Sequence, residues 1–82
     1  ASLYVLGDGG AECQEVLERC ERAIAELGAD AHVSLVTDAA TVASYGVAPV
    51  QTPAVVMARY VLKSTRRLPE VPIIKEWLKE VS

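Results

Sequence analysis

The chain has little from which to build a metal or cofactor site: one histidine and two cysteines, with no grouping of the two residue types. Zinc and iron–sulfur centres need several such ligands held together, so no metal and no cofactor is expected. No apolar run approaches the roughly 18 residues of a membrane span, which predicts no membrane insertion. Neither a basic leader nor a cleavage-site pattern marks the chain for export, so a cytoplasmic location with reduced thiols is the expectation. Cations are also in the minority, eight Lys and Arg against eleven Asp and Glu, for a net charge of −3. Nucleic-acid affinity rests on clustered cations, so nucleic acid is not an expected partner. The one basic grouping, Arg59, Lys63, Arg66 and Arg67, falls in an expected hairpin and the loop after it, and reads either as solvated loop charge or as an anion or partner site. A glycine-rich turn, Gly7-Asp8-Gly9-Gly10, precedes a helical pattern, yet the full dinucleotide spacing and the phosphate-loop lysine are both missing. It reads either as a flexible strand-to-helix turn or as an anion cradle built from free backbone N–H groups.

What is present is a well-patterned α/β chain of 82 residues, about half of them apolar. Ser2 to Leu6 is a β-rich run stopped by glycines. From Ala11 to Leu27 the residues Cys13, Val16, Leu17, Cys20, Ile24 and Leu27 recur at three- and four-residue steps, which predicts a helix with Gly28 as its C-terminal cap. Residues 31–36 alternate, with Val33 and Leu35 on one side and His32 and Ser34 on the other. Thr37-Asp38 starts a short helix that Gly46 follows. Two further β-rich runs, 53–57 and 60–64, are close enough to pair around Ala58-Arg59. A last helix over 71–81 presents Val71, Ile74, Leu78 and Val81 as its buried stripe, widened by Ile73 and Trp77. Strand-helix-strand demands a parallel pair and the hairpin adds antiparallel strands, so the order β-α-β-α-β-β-α predicts a mixed four-stranded sheet with helices packed on it.

That order, a cysteine at the start of the long helix, and Thr52-Pro53 opening the third strand resemble the small thioredoxin-like proteins called redox-active disulfide proteins. Glutaredoxins and thioredoxins are more distant relatives. Tyr45-Gly46-Val47, Thr52-Pro53-Ala54-Val55-Val56 and Ile74-Lys75-Glu76-Trp77-Leu78 look like the same family, and the likeness covers residues 1–82 as one thioredoxin-like domain. It implies a C-x-x-C loop at positions 10 and 13, a cis proline at Pro53, with Ala48-Pro49 as the alternative, and a substrate-binding loop formed by Gly9, Gly10, Ala11, Thr52 and Pro53. The chain departs from the pattern at Gly10, which takes the place of the first, attacking cysteine. It departs again in a longer connection from Val47 to Pro53 and in the Ala58-Arg59 hairpin turn.

One sulfur at Cys13 cannot run a dithiol cycle. Cys20 is no substitute: seven helical residues place it roughly 10.5 Å away at 1.5 Å per residue, and a disulfide needs Cα atoms within about 7 Å. No Lys, Arg or His adjoins Cys13 in the loop, and Glu12 and Glu15 are like charges beside it, so a strongly activated thiolate is not spelled out. Two readings stand. In one, the chain is a non-enzymatic or redox-impaired module that binds a protein or peptide, with an extended segment adding to the strand that begins at Pro53. In the other, Cys13 is catalytic as a monothiol in thiol–disulfide exchange with a partner thiol. A ferredoxin-like metal domain would need paired soft ligands and a different element order. Oligomeric state is open.

Overall fold

A computed structural model of the chain describes residues 2–57 and 61–80. The elements run β1 (Ser2–Leu6), α1 (Ala11–Leu27), β2 (His32–Val36), α2 (Ala39–Ser44), a 3₁₀ turn (Pro49–Gln51), β3 (Ala54–Met57), β4 (Val61–Thr65) and α3 (Val71–Glu80). The strands form one sheet in the order β2-β1-β3-β4. β1 runs parallel to β2, with Leu3 opposite Val33 and Val5 opposite Leu35. It runs antiparallel to β3, with Tyr4 opposite Val56 and Leu6 opposite Ala54. β3 and β4 are antiparallel, and a register shift at Val55/Val56 leaves Val55 opposite Ser64 and Val56 opposite Leu62. The expected turn at Ala58-Arg59 lies outside the described residues.

Alternation along the two central strands explains the layers, because successive strand side chains point to opposite faces. Leu3, Val5, Val55 and Met57 meet Cys13, Val16, Cys20 and Ala23 of α1 and Ile74 and Leu78 of α3. On the other face Leu6, Ala54 and Val56 meet Val42 of α2 and Val47. All four residues of β3 are buried, as befits a strand covered on both faces. At the sheet edge, His32 and Ser34 of β2 are exposed while Val33 and Leu35 are half-buried.

α1 ends in a Schellman motif: Gly28 takes φ 62, and the Ala29 N–H reaches the Ile24 carbonyl at 3.1 Å. Arg19 ties the chain after β4 to this helix by donating to the Leu68 carbonyl at 2.8 Å and the Pro69 carbonyl at 3.3 Å. Asp38 caps α2, accepting from the Thr41 N–H at 2.9 Å and the Thr41 hydroxyl at 2.8 Å. Those bonds hold its carboxyl below the usual carboxylate range.

α3 departs from expectation at one position. Ile74 and Leu78 are buried and Val71 and Trp77 half-buried, but Ile73 is 49% exposed. It borders an open groove between β4 and α3 and is no part of the packed stripe. Val81 lies outside the described residues.

Truncation should separate the two isoleucines. Ile74→Ala is expected to cost about 2–5 kcal/mol, as buried large-to-small changes do, and Ile73→Ala under about 1 kcal/mol. Urea denaturation followed by the fluorescence of the sole tryptophan, Trp77, measures both.

Candidate functional site

The site forms where β1 hands over to α1. Gly7 continues the strand pairing, its N–H donating to the Val36 carbonyl at 3.1 Å. It is buried, and a methyl group on it would overlap Cys13 Sγ while standing 3.5 Å from Thr52 Cβ and 3.8 Å from Pro53 Cα. Glycine at position 7 therefore lets the start of the helix close on the end of the first strand, with the entry to the third strand at ordinary contact distance. Gly9 takes φ +79, a left-handed conformation that favours glycine. Gly10 is the N-cap of α1 and offers no side-chain hydrogen bond to the helix.

Asp8 supplies the polar group that Gly10 lacks. Its Oδ1 accepts the Gly10 N–H at 2.8 Å and the Cys13 thiol at 3.8 Å. A Cβ on Gly10 would stand only 3.0 Å from that oxygen and 3.7 Å from Oδ2. Asp8 is exposed, and its carboxylate lies beside the space that a side chain at position 10 would enter. This corrects the anion-cradle reading of the glycine turn. The chain's own carboxylate takes the Gly10 N–H, so an external anion would meet negative charge at the helix N-terminus.

Neither sulfur is presented to solvent. Cys13 is 2% exposed and Cys20 is fully buried, and both are free thiols. Burial pushes the Cys20 thiol up to about 12, with the Glu21 charge adding in the same direction.

Across from this loop, the connection from Val47 to Pro53 holds a 3₁₀ turn that the sequence pattern did not reveal. Gln51 Oε1 accepts the Ala48 N–H at 2.8 Å, and the Gln51 N–H donates to the Ala48 carbonyl at 2.8 Å. Thr52 turns both of its donors inward onto the Pro49 carbonyl, the N–H at 3.2 Å and the hydroxyl at 2.7 Å. The Thr52–Pro53 peptide is cis, and Pro53 is buried. The Arg66 N–H lies 3.0 Å from both the Gln51 and the Pro53 carbonyls, tying β4 to this segment.

Between the two loops and α2 lies a cleft of about 220 Å³, its wall formed by Gly7, Asp8, Val42, Val47, Pro49 and Thr52 together with Thr37, Ala39 and Ala43. Of the residues named from sequence, Thr52 lines this cleft, and Pro53 follows it with its Cα near Gly7. Gly9, Gly10 and Ala11 form the turn and first residue of α1 beside it. Sequence reasoning missed the wall made by Val42, Val47 and Pro49. The available signal was the Tyr45-Gly46-Val47 stretch followed by a proline, since proline suits a first helical position. His32 is exposed and remote in sequence from this cluster. Among the described residues, no three His, Cys, Asp or Glu side chains group as a metal site would require.

A β2-β1-β3-β4 mixed sheet, helices on both faces, and a glycine turn packed beside a proline at the start of β3 define a thioredoxin-like fold. The match is direct: the family model described as thioredoxin domain covers residues 2–79, and the chain belongs to that family. No curated protein and no solved structure matches it.

Two measurements test this geometry. Gly7→Ala should cost about 1–3 kcal/mol through overpacking. Adding Cys13→Ala should recover part of that loss in a double-mutant cycle, because the overlapping sulfur is gone. For Cys20, the folded thiol keeps its proton up to about 12, whereas the unfolded thiol loses it near 8.5. Between those values the native state binds the extra proton, so stability falls as pH rises, by up to about 1.4 kcal/mol per pH unit. Denaturation from about pH 8.5 to 10.5 is expected to show a steeper loss for wild type than for Cys20→Ala.

Proposed function

We propose that this thioredoxin-family chain is a non-enzymatic protein- or peptide-binding module, related to thiol–disulfide oxidoreductases but without their dithiol chemistry. One observation carries the reading. The helix N-cap at position 10 is exposed and carries glycine beside the Asp8 carboxylate, while the nearby sulfur of Cys13 is 2% exposed. Thiol–disulfide exchange requires a thiolate that can reach the other sulfur. Cys20, deep in the core with its thiol pushed up to about 12, supports the same reading. The reading places the chain in a reducing compartment, the cytoplasm, where both cysteines remain thiols.

Binding is best supported at the cleft between Asp8, α2 and the 3₁₀ turn. Strand addition at Thr52 has less support, because the Thr52 N–H that would pair with an incoming segment donates to Pro49. The competing reading, a monothiol exchange through Cys13, needs that sulfur to come to the surface.

Native thiol modification decides between them. With iodoacetamide and peptide mapping, Cys13 and Cys20 are both expected to label far more slowly in the native protein than in urea. Labelling of native Cys13 at neutral pH at the rate of an exposed thiolate, together with a mixed disulfide at that residue, would overturn the non-enzymatic reading. In the same assay Gly10→Cys is expected to displace the Asp8 side chain and close a reversible disulfide with Cys13. A folded variant that fails to close it would show that position 10 is not where the first sulfur of this scaffold belongs.

A further inference from the structure

We propose that the cleft beside Asp8 takes a single apolar side chain of an extended peptide segment, and that Asp8 selects segments in which a basic residue, Arg or Lys, adjoins that anchor. The inference rests on the binding-module reading and adds to it the chemistry of the partner and the residue that chooses it.

Size and lining set the first half. At about 220 Å³ the cleft is smaller than the roughly 300–1,000 Å³ of small-molecule and cofactor sites. Val42, Ala43, Val47 and Pro49 give it apolar walls. Val50, 74% exposed on the 3₁₀ turn next to Pro49, continues the apolar surface beyond. One buried side chain, with the backbone passing over the rim, fits such a space.

Charge sets the second half. Among the described residues, Asp8 is the only ionisable one in the lining, and no Lys, Arg or His there lines the cleft to neutralise it. Its carboxylate is oriented by Oδ1, which accepts the Gly10 N–H and, more weakly, the Cys13 thiol. No hydrogen bond or ion pair among the described residues engages Oδ2. A pre-organised carboxylate with an open oxygen favours a cation, because little ordering remains to be done on the protein side. Asp38, between the lining residues Thr37 and Ala39, adds a second negative charge on the same stretch of chain. Gly10 is part of the arrangement, since a side chain there would crowd Asp8. The residue that removes the first sulfur also makes room for the selecting carboxylate.

The test uses blocked pentapeptides with a central Leu-Arg, Leu-Gln or Gly-Arg pair, titrated into the 15N-labelled protein and read from backbone amide shifts. Wild type is expected to bind the Leu-Arg peptide about three- to tenfold more tightly than the Leu-Gln peptide, with shifts at Thr37, Ala43 and Val47. Asp8→Asn keeps an acceptor for the Gly10 N–H, and is expected to bind both Leu peptides alike. Ala43→Arg, which fills the cleft from an exposed helix position, should abolish both. Raising the salt concentration should shrink the Arg preference in wild type. Equal binding of Leu-Arg and Leu-Gln by wild type, or a preference that survives in Asp8→Asn, overturns the assignment of Asp8 and leaves the binding-module reading standing. Tight binding of Gly-Arg overturns the apolar anchor. Absence of any response to all three peptides overturns the proposed partner chemistry. Whether the module reading falls with it is decided separately, by the reactivity of native Cys13.

Discussion

The end of the first strand and the start of the first helix close on each other at Gly7 because that residue has no side chain. Cys13 Sγ occupies the volume a methyl group would need, while Thr52 and Pro53 stand at ordinary contact distance from it. Interiors are packed too densely for such an overlap to be absorbed without a shift, so the relative positions of the first strand and the first helix depend on this contact. The same approach brings the glycine turn against the segment from Val47 to Pro53, and the cleft is what remains between them and α2. The fold places the cleft where these segments come together.

Around that contact, carboxylate and sulfur have different roles. Cys13 faces inward and joins Val16 and Cys20 in the core, where a small soft side chain fills space. The exposed group at the helix N-terminus is Asp8, drawn back over Gly10 by the left-handed turn at Gly9. A carboxylate there compensates the helix dipole, lies beside the space a side chain at position 10 would enter, and among the described residues is the charged group lining the cleft. Thr52 fits the same picture, with both of its donors committed to Pro49. These placements are what the proposed binding role rests on.

Much of this architecture was legible in the residue pattern, and the parts that were not have physical reasons. The limits of α1 at Ala11 and Leu27 follow from three- and four-residue apolar steps and from Gly28, whose αL conformation ends the helix. The layering follows from alternation in β1 and β3. Ile73 misled because helical periodicity gives the angle a residue takes on its helix, whereas burial also depends on what lies opposite, here an open groove beside β4. The 3₁₀ turn was hidden because a side-chain-to-backbone bond, Gln51 to Ala48, stabilises it without apolar periodicity. In the residue pattern Asp8 was one residue of the Gly7-Asp8-Gly9-Gly10 turn. Its role became definite only through the φ of Gly9 and the absent Cβ of Gly10, and neither is a property of Asp8.

The central claim, that this member of the thioredoxin family binds without thiol turnover, is tested most directly by the rate at which the protein catalyses dithiothreitol-driven reduction of a protein disulfide such as that of insulin. The account predicts that wild type and Cys13→Ala run at the same rate, indistinguishable from the reaction without protein. A wild-type rate above background that Cys13→Ala abolishes would contradict it.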